Sequence, residues 1–233
     1  MSNGLILVEL QEFMGSDASV ANAAWTSTYD KTKRDEKYLD NQKIESLVPR
    51  LIKEGHGTPI ESVIFRFWIR MPIFIDRQHM THRIASHNGL SGRYRTMPED
   101  WFSMPQDVQD IFEKADCLGN WQASKYEEVC KHAYENYKTQ LSYLKRAEQL
   151  ETITNKEFKR AREIIRGQLP TAGMVERTTI MNLRSFANYQ KQRNSDYAQL
   201  ELKRVAELML EAVEAANVCP IAIATLKEIG WKI

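Results

Sequence analysis

The chain has 233 residues, a formal net charge of +1 and 27% charged side chains, which is long enough for a sizeable core in one large domain or two small ones. So balanced a charge gives no global field for DNA, RNA or an acidic membrane, and any anion site must be a local cluster. Three scattered cysteines, Cys117, Cys130 and Cys219, form no CxxC pair, which speaks against a disulfide framework or structural zinc and for a reducing compartment.

The N-terminal stretch carries Glu9 and Glu12 and no basic run, unlike a signal peptide. No apolar run reaches the ~20 residues that span a bilayer. A soluble cytoplasmic protein is expected. Alternation over Leu5–Leu10 predicts a first strand, and Gly15-Ser16-Asp17 can cap a helix over Ala18–Ala24. Thr26–Asp35 is polar and reads as a loop. Tyr38–Glu54 has helical spacing at Leu39, Ile44, Leu47, Leu51 and Ile52, interrupted by Pro49. His56–Pro59 reads as a turn. Glu61–Ile69 alternates, with Val63, Phe65, Phe67 and Ile69 on one side, and predicts a strand.

Pro72 suits a first helical turn, with a helix continuing over Ile73–Arg83. Asn88-Gly89 and Ser91-Gly92 break it, leaving Ser86–Tyr94 as irregular strand or loop, and Asp100–Pro105 reads as a connector. Long helices are expected over Trp121–Leu150, from Lys156 to Pro170, over Thr179–Arg193 and over Ser195–Ala216. The expectation is an α+β fold in which a small mixed or antiparallel sheet packs with several helices, the long ones C-terminal. It treats 1–233 as a single domain.

Arg77–Tyr94 concentrates amides, imidazoles, hydroxyls and guanidinium groups. Gln78 and His82 stand four apart, as do His79 and Arg83, so each pair shares a helical face. Ser91 and Arg93 point the same way if that stretch is extended. Guanidinium forks and glycine-opened backbone suit phosphate; a solvated polar face around a glycine turn suits the same residues. Arg166 near a helix end complements the helix dipole. Asn182, Ser185, Tyr189 and Arg193 form a polar stripe of the kind that faces solvent. His132 reads as surface; Trp68, Trp101 and Trp121 read as core or interface. No GxSxG, HExxH, GxGxxG or GxxxxGK[ST] is present, so difficult chemistry would belong to a bound cofactor.

Thr81-His82-Arg83, seven residues and then Ser91 resembles the signature of flavin-dependent thymidylate synthases, which is Arg-His-Arg followed seven residues later by Ser. The blocks around it extend the likeness: His56–Glu61 (HGTPIE), Pro72–Phe74, Arg77-Gln78, Ser86–Asn88 and Ser91–Tyr94 (SGRY). Downstream, Arg166, Leu169-Pro170, Asn182-Leu183-Arg184-Ser185, Asn188 and Arg193 are similar to the family's second half, and Met14–Asp17 and Ala23–Ser27 to its N-terminal blocks. The likeness is thinnest between Ser103 and Phe158.

The resemblance implies a homotetramer holding FAD that converts dUMP to dTMP, with methylenetetrahydrofolate giving the carbon and NADPH reducing the flavin. It places FAD on Thr58, Thr81, His82, Arg83, Gly89, Asn182, Leu183, Arg184 and Asn188. It places the deoxypyrimidine monophosphate on Gln78, Leu90, Ser91, Gly92, Arg93, Arg166 and Arg193, with Arg193 stabilising negative charge on the base. It implies no metal. The chain departs from the family's pattern at Thr81 (arginine there), Gly89 (glutamate), His79 (tryptophan), Trp25 (arginine) and Ser62 (histidine). Three outcomes fit these departures: the ordinary reaction with weaker flavin affinity, methylation or hydroxymethylation of another pyrimidine nucleotide such as dCMP, or a nucleotide- or flavin-binding paralogue without catalysis.

Overall fold

The computed structural model describes residues 4–38 and 40–232; of the predicted helical positions, Leu39 lies outside them. In chain order the elements are β1 (Leu7–Met14), α1 (Asp17–Trp25), α2 (Lys31–Lys37), α3 (Asn41–Lys53), α4 (Gly57–Ile60), β2 (Ile64–Pro72), α5 (Ile73–His79) and β3 (Ser86–Gly89). They continue with α6 (Gln106–Lys114), α7 (Gly119–Gln149), α8 (Asn155–Ile165), a 3-10 turn (Arg166–Gln168), β4 (Met174–Asn182), α9 (Leu183–Arg193), α10 (Leu200–Ala215) and α11 (Pro220–Glu228). The architecture is α+β.

The chain gathers into two compact units, each discontinuous in sequence. A sheet unit combines Ile6–Arg70, Arg77–Asn88 and Glu176–Ile233; a helical unit combines the start of the chain up to Leu5 with Met71–Asp76 and Gly89–Val175.

In the sheet unit the strand order is β1-β2-β4-β3. β1 pairs antiparallel with β2, with a register shift between Leu10 and Glu12. The predicted alternation holds: Val63, Phe65, Phe67 and Ile69 are all fully buried. The Phe186 ring of α9 packs edge-on to Phe65 at 5.2 Å and stacks on Phe67 at 6.0 Å. Burying side chains of this size contributes ~1.5–3 kcal/mol each. α10 presents Leu202, Val205, Ala206, Met209 and Val213 to the core and packs on β1. The Asp17 carboxylate accepts from the Ile221 and Ala222 N–H groups at 3.0 and 2.9 Å, capping α11 from the other end of the sequence.

In the helical unit, Tyr137, Leu141 and Phe158 form a core closed by Met97, Leu144, Ile153, Ile165 and Leu169. Thr154 and Glu157 cap α8 reciprocally. Trp101 stacks on Tyr134 at 5.5 Å, and the Tyr134 hydroxyl donates to the Asp100 carbonyl.

Several expected boundaries move, for local reasons. The loop expected over Thr26–Asp35 ends in α2, because Asp30 accepts from the Lys33 N–H and starts a helix. Pro49 lies inside α3 without ending it, and the His56–Pro59 turn is the start of the short α4. The helix expected over Ile73–Arg83 stops at His79, where Thr81 turns its hydroxyl onto the Gln78 carbonyl at 2.7 Å. Thr179–Asn182 belong to β4, and Asn182 caps α9 by accepting from the Ser185 N–H. Residues 195–199 precede α10 instead of opening it. The longest helix is α7, 31 residues in mid-chain, where the long helix over Trp121–Leu150 was expected. His132 is exposed as expected, whereas Trp121 is 53% exposed and not core.

Candidate active site

The sheet unit holds a cavity of about 340 Å³ lined by His82, Ile84, Ala85, Met181, Arg184, Ser185, Asn188, Lys191 and Trp231. This size suits a small ligand. One face of α9 builds most of it: Arg184, Asn188 and Lys191 follow at i, i+4 and i+7 and so rise from one side of the helix. His82, Arg184 and Asn188 were expected here from the sequence; Lys191, Ser185, Met181 and Trp231 were not. The helical spacing from Arg184 was the available signal for Lys191, and Trp231 gave none.

Arg184 is held by Glu61 at 2.7 Å. Its guanidinium lies against Gly57, where an added Cβ would come within 2.7 Å of its Cζ. Glycine at 57 is therefore a matter of space. Thr58, next in α4, is exposed. Lys191 has no ion-pair partner among the described residues, and the Ser185 hydroxyl is buried without a hydrogen-bond partner. Asn188 accepts from Gln192 at 3.0 Å. Arg83 is exposed, whereas the Leu183 side chain is fully buried in the core. Only backbone groups of Leu183 can serve a ligand.

The polar stripe of α9 is not a solvent face. Tyr189 is fully buried, its hydroxyl 2.9 Å from His79 Nδ1, and its ring meets His82 at 4.5 Å. Arg193, one turn on, donates from Nε to His82 Nε2 at 3.0 Å and from Nη2 to the Thr81 hydroxyl at 3.2 Å. Burial first, and then the Arg193 and His87 charges, lower His82 from 6.5 to about 4. The ring is neutral at pH 7. With Nε2 accepting, its proton sits on Nδ1. Burial likewise pushes His79 well below the usual imidazole range, reinforced by His87, His82, Arg177 and Arg193, and raises the Tyr189 phenol. Gln78 donates to Gln199 at 2.6 Å.

The helical unit holds a second cluster. Arg93 Nε donates to Glu163 at 2.7 Å, its backbone N–H to the Ser91 hydroxyl at 3.3 Å, and Arg166 Nε to the Glu163 carbonyl at 3.2 Å. Gly92 is buried against Arg166, whose Cδ would lie 3.1 Å from a Cβ there. Leu90 is half-buried and Gly89 is exposed at the end of β3. The three arginines expected at the nucleotide thus sort into two clusters: Arg93 and Arg166 around Glu163, and Arg193 with Thr81 and His82. Glu61 and Glu163 are the counter-ions that sequence reasoning missed.

Neither buried cysteine offers a nucleophile. Burial, with Glu127 nearby, raises Cys130 to about 11; burial, with Asp17 nearby, raises Cys219 to about 12. No group of three or more metal-ligating side chains gathers among the described residues.

Known proteins share both sequence and fold. The model of the thymidylate synthase complementing protein family matches residues 9–221. A flavin-dependent thymidylate synthase of Kosmotoga olearia is 31% identical over 223 residues, 92% of this chain and 86% of that one. The Pseudothermotoga lettingae protein of the same name is 29% identical over 214 residues, 91% and 86% of the two chains. The crystal structure of a UMP/dUMP methylase, PolB, from Streptomyces cacaoi bound with 5-Br dUMP superposes with a TM-score of 0.76 at 24% identity, over 98% of this chain and 97% of that one. The match from Glu9 to Ile221, through both clusters, places the chain in the thymidylate synthase complementing protein family.

Proposed function

We propose that this protein is an FAD-dependent methyltransferase that converts dUMP to dTMP, taking the carbon from methylenetetrahydrofolate and the reducing equivalents from NADPH, as a cytoplasmic homotetramer. The observation that carries the reading is the α9 cavity. A neutral imidazole, two cations, an amide and an orphaned buried hydroxyl line one apolar-backed space. The relatives' name supports the flavin and the product, and the 5-Br dUMP bound by PolB supports a pyrimidine monophosphate.

The residues present fit a flavin. The Ser185 hydroxyl and the Lys191 ammonium are open donors at the cavity, Gly57 leaves Arg184 its room, and Trp231, Met181 and Ile84 supply apolar wall. Arg184, Asn188, His82 and Lys191 would hold the cofactor, with Thr58, Thr81, Arg83, Asn182, Gly89 and the Leu183 backbone contributing as the family pattern implies. Bound flavin would supply the hydride chemistry that no side chain of the chain offers.

Arg93 and Arg166 would take the nucleotide phosphate. Arg93 would exchange the Glu163 carboxylate for phosphate oxygens, and the absence of a Cβ at Gly92 would let the backbone approach. Leu90 and Ser91 would complete that site, and Gln78 would serve the nucleotide as the family pattern implies. Arg193, with Nε and one Nη2 hydrogen committed to His82 and Thr81, keeps its remaining N–H groups for the base. A cation fixed in this way stabilises negative charge on the pyrimidine as C5 becomes nucleophilic. The Thr81 departure fits this arrangement. Its hydroxyl accepts from Arg193, where an arginine would repel it.

The test is direct. Purified protein should be yellow and release FAD on denaturation. With methylenetetrahydrofolate and NADPH it should add 14 mass units (one CH2) to dUMP. Colourless protein that takes up no added flavin, or turnover of dCMP or UMP with dUMP untouched, would overturn the reading.

A further inference from the structure

Resting on the proposed role of Arg193, we propose that the buried His79 is a positioning residue: through Tyr189 it fixes the His82 ring on which Arg193 is oriented. His79 is fully buried and both ring nitrogens are engaged, Nδ1 with the Tyr189 hydroxyl and Nε2 with the Thr179 hydroxyl, each at 2.9 Å. His87 Nδ1 reaches the same Thr179 oxygen at 3.1 Å. Four polar side chains on α5, β3, β4 and α9 thus form one connected line, running from the buried Tyr189 to the half-buried His87.

The direction of that line follows from proton counting. Among the described residues the Tyr189 phenol has one hydrogen-bond partner, His79, and a buried O–H left without an acceptor is costly. Tyr189 therefore donates and His79 Nδ1 accepts. A neutral imidazole then carries its hydrogen on Nε2 and donates it to Thr179. The Thr179 hydroxyl, having accepted, has its own hydrogen to donate to Nδ1 of His87 in its neutral form. In this direction the buried Tyr189 proton has an acceptor; reversed, it has none. The phenol oxygen is thereby pinned at one end of a fixed line.

Tyr189 also backs the His82 ring. Its ring lies 4.5 Å from that of His82, and the far edge of His82 accepts from Arg193. Tyr189 and Arg193 stand four apart on α9, so the His82 ring is clasped between a fixed ring and a cation. Loosening Tyr189 releases His82, and with it the angle at which Arg193 presents its free N–H groups. None of the four residues in the line touches the proposed reaction, so the effect would be one of orientation.

Two measurements test this, one of them independent of any ligand. In the ligand-free protein, the Arg193 Nε–H should give a sharp, exchange-protected NMR cross-peak, assigned by its loss in Arg193→Lys. In Tyr189→Phe, which keeps the ring and removes the hydroxyl, the peak should broaden and its exchange should quicken about tenfold. In His79→Gln, which can accept and donate, it should largely persist. A peak unaffected by Tyr189→Phe overturns the proposal, whatever the protein binds. In flavin-loaded protein, Tyr189→Phe should weaken dUMP binding five- to tenfold in the native background and not at all on top of Arg193→Ala. Multiplicative losses would show a general structural effect and overturn it too. Failure of the native protein to bind flavin and dUMP would count against the proposed function alone, because the cross-peak would still decide the positioning role.

Discussion

Gly57→Ala isolates the cavity wall from the fold. An ideal Cβ at residue 57 lies 2.7 Å from Arg184 Cζ, 2.8 Å from Nε and 3.1 Å from Nη1. Relaxed carbon contacts settle near ~3.5 Å, so the guanidinium must withdraw by roughly 1 Å. The Arg184–Glu61 pair that this disturbs is half exposed, 50% and 39% at the two side chains, and such pairs contribute ~0–1 kcal/mol. Alanine in a helix offsets this by about 0.5–1 kcal/mol relative to glycine. The two effects nearly cancel. The melting temperature should stay within about 4 °C, since ~1 kcal/mol moves a chain of this size by about 2–4 °C. Flavin binding has no such compensation. One charge-assisted hydrogen bond is worth about 1.5–3 kcal/mol, which predicts a roughly 10- to 150-fold weaker FAD complex. Titrating apoprotein with FAD and following flavin fluorescence measures this. An affinity within twofold of the parent, with the Arg184 displacement established by crystallography, would refute the role given to Arg184.

Lys191→Met should weaken FAD about tenfold and leave riboflavin, which has no phosphate, unchanged; equal losses for both would place Lys191 elsewhere than at the phosphates. Glu163→Gln should tighten dUMP binding about three- to tenfold by removing the carboxylate that occupies Arg93, and calorimetry showing weaker binding would mean that Glu163 instead holds Arg93 in place. His82 has its pKa lowered from 6.5 to about 4, so the stability it contributes is complete above pH 6.5 and lost as pH falls towards 4. In that window His82→Gln should flatten the stability–pH slope, by less than the one-proton limit of ~1.4 kcal/mol per pH unit because solvent screens the half-buried ring, and a slope equal to the parent's in urea titrations would show that His82 is not protected from protonation.

The sequence carried the local features well. β2 was legible because alternate burial leaves a period of two, and α1 because Ser16 and Asp17 announce it. α2 was hidden because KTKRDEK is polar on every side and has no buried residue. The start of α9 was misplaced because Thr179-Thr-Ile-Met satisfies a short strand and a helix equally, and the cap at Asn182 settles the matter only once folded. The blocks around His82, Arg93 and Arg184 could be found by likeness to a family. What they rest against could not. Tyr189 belongs to His79 from 110 positions away, and Arg93 meets Glu163 from 70. Such pairings are products of tertiary folding and leave no periodicity to read. The stripe expected to face solvent, Asn182, Ser185, Tyr189 and Arg193, turns inward at every position.

The α9 cavity draws its walls from His82 to Trp231, nearly the last described residue. During translation it cannot close until the ribosome has released the chain through Trp231. A ligand of this cavity therefore finds its complete wall only once Trp231 has emerged, and a product terminated before it would lack the indole. With flavin held there as proposed, the visible absorbance of a preparation would report how many molecules carry Trp231.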